Sequence, residues 1–242
     1  MHGWRAKLGL LIPSGNVAIE VDIGKIIPKG VSNHCHRFKF AGGKSNEDVV
    51  DNLRKAENKI EEAAEMLMDV DPAVIAMTGT GVSFIGGYGY DQMLIKKMQT
   101  SCGTTPITTT TTAVANGLLA LGVKKISIAM PYVEPVANTI AKFMEDSGYK
   151  VKNYKWLGRT HWEIARTTKE QIYDLVKSVD TPETEAIFVS CVNLHVAEII
   201  NELETDLQKP VITSNQATAW ECLRLAGIKD SIKGWGVLLE NY

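Results

Sequence analysis

The chain lacks any apolar run longer than a few residues, which argues against a bilayer-spanning helix of about 20 residues. Its opening "MHGWRAK" lacks the hydrophobic stretch of a secretory leader. An excess of one charge is also missing. The 26 basic and 28 acidic residues leave a net −2, with no basic block to meet nucleic acid or an anionic membrane. Cysteines 35, 102, 191 and 222 form neither a CxxC pair nor a metal-ligand spacing, so neither a zinc site nor a redox pair is expected. The expectation left standing is a reduced, cytoplasmic, soluble protein. At 242 residues and 45% hydrophobic content, the chain suffices for one large core or two small ones.

Short apolar runs alternate with longer stretches of helical period, the pattern of a parallel α/β fold. Strands are predicted at 7–12, 73–77, 106–108, 125–130, 185–190 and 210–213. Between the first two, Val50, Leu53, Ile60, Ala64 and Leu67 return every three or four residues, which predicts an amphipathic helix capped by Ser45 or Asn46. Similar spacing predicts helices at 134–147 and 169–179, with a less distinct one near 216–226.

The chain also repeats itself loosely. "LLIPSGN" is echoed by "SIAMPYVEP", "AVIAMTGTG" by "AIFVSCVNL", and "PITTTTTAVANGLLALG" by "PVITSNQATAWECLRLAG". Three pairs in one order predict two similar halves: residues 1–115 with the C-terminal segment 214–242, and residues 116–213. Parallel sheets bind ligands beyond the carboxyl ends of their strands. Two facing halves would therefore bring Pro13–Asn16, Gly79–Ser83, Tyr132 and Cys191–Asn193 to one cleft.

These motifs resemble the aspartate/glutamate racemase superfamily, in its branch of maleate cis–trans isomerases and arylmalonate decarboxylases. The resemblance spans almost the whole chain. It implies two pseudo-symmetric α/β halves, an active site between them, no cofactor, a small dicarboxylate substrate and frequent oligomers. "VSCVNL" is similar to the distal cysteine motif, which gives Cys191 the catalytic position. "IPSGN" is similar to the isomerases' first motif, so Asn16 would grip a carboxylate. "MPYVEP" puts Tyr132 at a carboxylate-binding tyrosine. Backbone N–H groups of Val192 and Asn193, at a helix start, would help to hold charge on the sulfur. Thr80 and Ser83 would hydrogen-bond a developing oxyanion. Pro13, Ser14, Gly79, Gly81, Val82 and His161 would complete the pocket.

The first half departs from the two-cysteine pattern, because Gly79 stands where racemases and isomerases carry their first cysteine. Racemisation and double-bond isomerisation both lose a participant by that change. Decarboxylation needs a single proton donor. The reading that follows is a cofactor-independent decarboxylase of a substituted malonate. The alternatives are a maleate isomerase or racemase, and a non-catalytic carboxylate-binding relative. Other features take structural readings: the 108–112 threonine run as a helix cap, Cys35, Cys102 and Cys222 as packing, His195 as exposed or capping, and Trp156 and Trp162 as core or pocket wall. His34 and His36 alternate like strand residues, too few for a metal site. "FAGGKSNED" reads as a loop that could serve as a lid.

Overall fold

The computed structural model describes residues 2–40 and 46–242, with their side chains except those of Asn46, Val49, Asn58 and His161. Most of the proposed lid falls on residues 41–45, outside the described residues. Two four-stranded sheets are present, and every neighbouring pair of strands is parallel. The first holds β1 (Ala6–Pro13), β2 (Val31–Phe38), β3 (Val74–Met77) and β4 (Ile107–Thr109) in the order β2-β1-β3-β4. The second holds β5 (Lys125–Met130), β6 (Lys150–Trp156), β7 (Ala186–Val189) and β8 (Val211–Thr213) in the order β6-β5-β7-β8. The two orders are the same order, which gives the loose sequence repeat its structural meaning.

Strands β3 and β7, "VIAM" and "AIFV", are buried at every residue. A parallel strand shielded on both faces has no polar side to alternate, so it reads as a continuous apolar run. Two of the four edge strands are different, while β4 and β8 at the other edges are buried. "VSNHCHRF" of β2 and "KVKNYKW" of β6 are largely half-buried or exposed, so no apolar run marked either as a strand. The single long helix expected after β2 is broken into Asn46–Ala56, a 3₁₀ turn at Glu57–Lys59, and Ile60–Met68. Thr109 does cap the helix Thr110–Ala120, accepting from Thr112 N–H at 3.1 Å. Trp156 and Trp162 are not core or wall: they are 37% and 64% exposed, Trp156 at the end of an edge strand and Trp162 on a short helix.

The halves meet through a shared core. Phe84, just after β3, sets its ring edge-on against Phe143 at 4.6 Å and lies 6.5 Å from Phe188 of β7. Burying one such side chain contributes roughly 1.5–3 kcal/mol. The helices Thr110–Ala120 and Ser214–Leu225 pack on each other. Gly117 permits a close approach, since a Cβ there would lie 2.6 Å from Ile212 Cδ1 of the other half. At the surface, Glu198 accepts from Lys169 and from Lys25 of the first half at 2.5 Å each, which holds its carboxyl down near about 2. Solvent screening keeps such a pair a weak fastener. Among the described residues, no helix is long and apolar enough to cross a membrane, and no group of three His, Cys, Asp or Glu side chains is placed to hold a metal.

Candidate active site

A cleft of about 640 Å³, including the space at its mouth, opens where the carboxyl ends of the strands of both sheets converge. Its floor comes from three loops. Pro13 ends β1, Ser14 N–H still donates to Phe38 O of β2 at 2.8 Å, and the chain then turns through Asn16. Gly79 precedes the short helix Thr80–Phe84 after β3. Cys191 lies just beyond β7, after Ser190.

Asn16 and Asn193 fasten the first and third of these loops across the cleft. Asn16 Nδ2 donates to the Val192 carbonyl at 2.8 Å, while its Oδ1 accepts from Ala18 and Ile19 N–H at 2.9 and 3.0 Å. In return, Val17 N–H donates to Asn193 Oδ1 at 2.8 Å. A backbone N–H can only donate, so this bond fixes which end of the Asn193 amide faces where. Nδ2 is left buried without a hydrogen-bond partner among the described residues, on a side chain only 6% exposed. An unmet buried donor is costly, and here it belongs to a residue lining the cleft.

Cys191 has a φ of 137°, a region that L-residues rarely adopt. Its thiol is buried against largely apolar walls. Desolvation raises its pKa to about 11, against opposing hydrogen bonds from the Tyr132 hydroxyl and the N–H groups of Asn193 and Leu194. The Asn193 N–H lies 3.4 Å from Sγ. These backbone groups belong to a turn, since helical structure resumes only at Ala197. The expected helix-start donors at 192 and 193 are thus turn groups, of which Asn193 N–H reaches the thiol, while Leu194 N–H donates to Cys191 O at 3.3 Å. Tyr132 is raised well above its ordinary pKa, first by burial and then by Cys191. Ser190 and Thr80 also neighbour its hydroxyl. The approach to Ser190 falls short of hydrogen-bond geometry, so Ser190 Oγ also lacks a partner among the described residues. At neutral pH both Cys191 and Tyr132 carry their protons.

Of the residues the sequence nominated, Pro13, Asn16, Gly79–Val82, Tyr132 and Cys191–Asn193 line the cleft. Three do not. Ser14 is exposed, and its hydroxyl donates to Phe40 O at 3.2 Å and accepts from Phe40 N–H at 3.1 Å. Ser83 is buried behind the loop, donating to Gly79 O at 3.0 Å and lying 2.5 Å from Thr111 Oγ1. His161 opens the helix His161–Ala165, but its side chain lies outside the described residues. His195 is half-buried in the turn beyond the thiol, close enough to Asp22 to be felt there. Sequence reasoning missed Phe40, Leu53, Val133, Arg159, Thr160 and Ile164. Leu53 was visible only as part of a helix stripe. Arg159 is anchored by donating to Thr167 Oγ1 at 2.5 Å and to Gln171 Oε1 at 2.9 Å, contacts that no local spacing announces.

A cleft with one protonated thiol, a tyrosine hydroxyl, an unpaired amide donor and apolar walls can hold a carboxylate and deliver one proton. Comparison with known proteins gives that chemistry a context. The family model described as arylmalonate decarboxylase matches residues 8–239. An arylmalonate decarboxylase from Bordetella bronchiseptica is 33% identical over 184 residues, covering 75% of this chain and 72% of its own length. Among solved structures, the maleate isomerase Iso from Pseudomonas putida S16 superposes with a TM-score of 0.91 at 22% identity, covering 98% of each chain. A liganded arylmalonate decarboxylase mutant, with one glycine changed to cysteine and one cysteine to serine, gives 0.88 at 25% identity, covering 98% of this chain and all of its own.

Proposed function

The chain belongs to the arylmalonate decarboxylase family, and from that premise we propose that it is a cofactor-independent decarboxylase of substituted malonates with Cys191 as its proton donor. One observation carries the reading: a thiol that keeps its proton at neutral pH faces a cleft in which the corresponding loop of the other half offers Gly79. Nucleophilic and two-base chemistry both call for a thiolate or a second acid–base group. Among the described residues, the titratable side chains lining the cleft are Cys191, Tyr132 and Arg159.

A malonate dianion binds with the retained carboxylate toward Asn193 Nδ2 and the Tyr132 hydroxyl. The departing carboxylate lies against Pro13, Leu53, Val82 and Ile164, where it exchanges hydration for apolar surface and rises in energy. The bond between that carboxyl carbon and the α-carbon breaks, carbon dioxide leaves, and the electron pair spreads over the retained carboxylate as an enediolate. Hydrogen-bond donors aimed at such charge supply about 3–4 kcal/mol each to lowering the barrier. Sγ–H then gives its proton to the α-carbon. The thiolate left behind is held by Tyr132 and the N–H groups of Asn193 and Leu194 until solvent reprotonates it.

The test is carbon dioxide release from phenylmalonate, with Cys191→Ala expected to abolish it. No turnover across a panel of substituted malonates overturns the reading. A maleate isomerase is the second reading, favoured by the carboxylate donor at Asn193 and by likeness to maleate isomerases along nearly the whole chain. Proton NMR with maleate in deuterated buffer separates the two, since only an isomerase yields fumarate.

A further inference from the structure

Ser214 is fully buried and lies outside the cleft lining, as the first residue of the helix Ser214–Leu225. Its hydroxyl oxygen nevertheless touches both facing loops. It accepts from Cys191 N–H at 3.0 Å and from Thr80 Oγ1 at 3.0 Å. The corresponding helix of the first half begins at Thr110, whose hydroxyl accepts instead from Thr218 at 3.0 Å and does not engage a cleft loop. The tie is therefore one-sided, and it falls on the side with the thiol.

Two consequences follow from these bonds. A residue at a φ of 137° stays there only when its surroundings over-determine it. Ser214 supplies the acceptor for the Cys191 N–H, and Ser190 N–H is fixed on Ala129 O at 2.9 Å just before it. Secondly, the Thr80 proton points at Ser214, so only lone pairs of that hydroxyl are presented to the cleft. A hydroxyl in that state cannot donate to an oxyanion.

We propose that Ser214 is a positioning residue for the proton transfer, acting through Cys191 and Thr80; this rests on reading Cys191 as the proton donor. Ser214 holds the main chain that aims Sγ, and it parks the Thr80 proton while the cleft is empty. As charge builds on the enediolate, the Thr80 hydroxyl turns its proton to that oxygen, and Ser214 turns its own proton to Thr80 Oγ1. Both hydroxyls keep their protons and exchange the roles of donor and acceptor. Such a chain strengthens the donor facing the charge.

Ser214→Ala, Ser214→Thr and wild type are compared in two arms. The first follows iodoacetamide alkylation of Cys191 against pH, read on the mass of its peptide, and involves no substrate. The second measures kcat and KM for phenylmalonate. Ser214→Ala is expected to move the alkylation midpoint by at least about half a pH unit. It is also expected to lower kcat roughly ten- to hundredfold, leaving KM within about threefold. Ser214→Thr, which restores the hydroxyl, recovers most of both. An alkylation profile unchanged in Ser214→Ala overturns the proposal, as does a Ser214→Thr variant no better than Ser214→Ala. Should Ser214→Ala fail to fold, Ser214→Cys, similar in volume but a poor acceptor, is read in the same arms. If wild type turns over no malonate, the decarboxylase reading fails, while the alkylation arm still decides the hold of Ser214 on Cys191.

Discussion

The loops after β3 and β7 occupy equivalent places in two sheets of the same order, yet they obey opposite backbone rules. Gly79, free to adopt almost any conformation, has a φ of −152° that any residue reaches. Cys191, its counterpart, has a φ of 137°, where glycine would be at ease and a cysteine is strained. Asn193 likewise faces Gly81 in the pairing, and only the second-half residue has a side chain to present. Backbone preference did not place the thiol. Its strain marks the side of the cleft where chemistry outweighs conformational comfort.

The comparison breaks most sharply at its central pair. Cys191→Ala is expected to lower kcat/KM by about a thousandfold or more, because it removes the donor itself. Gly79→Ala adds a Cβ 3.3 Å from Met77 Sδ and from Val82 Cβ, a tight but yielding fit. Its cost in kcat/KM is expected to stay within about tenfold. Steady-state rates on phenylmalonate decide. Equal losses at the two positions would mean that loop packing, rather than the thiol, governs the rate.

Asn193 comes next. Removing its unpaired Nδ2 removes a hydrogen bond to a charged group, which amounts to about 1.5–3 kcal/mol. Asn193→Ala should therefore weaken malonate binding by roughly ten- to a hundredfold, measured by calorimetry with Cys191→Ala as the background. Asn16→Ala cuts the reciprocal bond to Val192 O and should affect the rate more than the binding. If Asn16→Ala proves the worse binder, Asn16 is the carboxylate contact, and Asn193 only braces the loop.

Much of this asymmetry was legible beforehand, since "VIAMTGTG" set beside "AIFVSCVN" already pairs Gly79 with Cys191. Buried parallel strands carry near-continuous apolar runs, so β1, β3, β5 and β7 announce themselves. The edge strands β2 and β6 do not, because their outer sides face solvent and tolerate "NHCHRF" or "KVKNYKW". Within the site, motifs indicated which loops converge but not what each side chain spends its hydrogen bonds on. Asn16 turned out to be committed largely to main chain, and Ser83 to the back of its own loop. Ser214 carried no signal, for a serine after a strand and a capping threonine is ordinary. Its role depends on contacts 134 and 23 residues away in the sequence.

The pH profile gives a smaller effect with a definite sign. A proton donor must be protonated, and burial raises Cys191 from an ordinary 9.0 to about 11. kcat should be level across neutral pH and fall as the pH rises through about 11. A decline centred near pH 9 instead would show an unperturbed thiol. Stability shifts in the same direction: the unfolded chain loses this proton near 9.0 while the folded state still holds it, so Cys191 adds to alkaline unfolding between those values.

The smallest expected effect lies in the backbone of the comparison itself. Cys191→Ala keeps a Cβ at a φ of 137°, whereas Cys191→Gly removes it. Strain of this kind costs on the order of 1–3 kcal/mol. Opposing its relief are about 0.8 kcal/mol of lost methyl burial and the extra freedom of glycine in the unfolded chain, about 0.5–1 kcal/mol. The balance is near zero or slightly favourable, so Cys191→Gly should be at least as stable as Cys191→Ala in urea unfolding, although both are inactive. The reverse order holds at ordinary sites, where replacing alanine by glycine costs stability. At Gly79, whose φ of −152° needs no relief, Gly79→Ala should gain nothing from the backbone and lose a little to crowding. If Cys191→Gly is clearly the weaker variant, then Cys191 is unstrained where it sits, and the hold exerted by Ser214 and Asn16 is no longer required to explain its position.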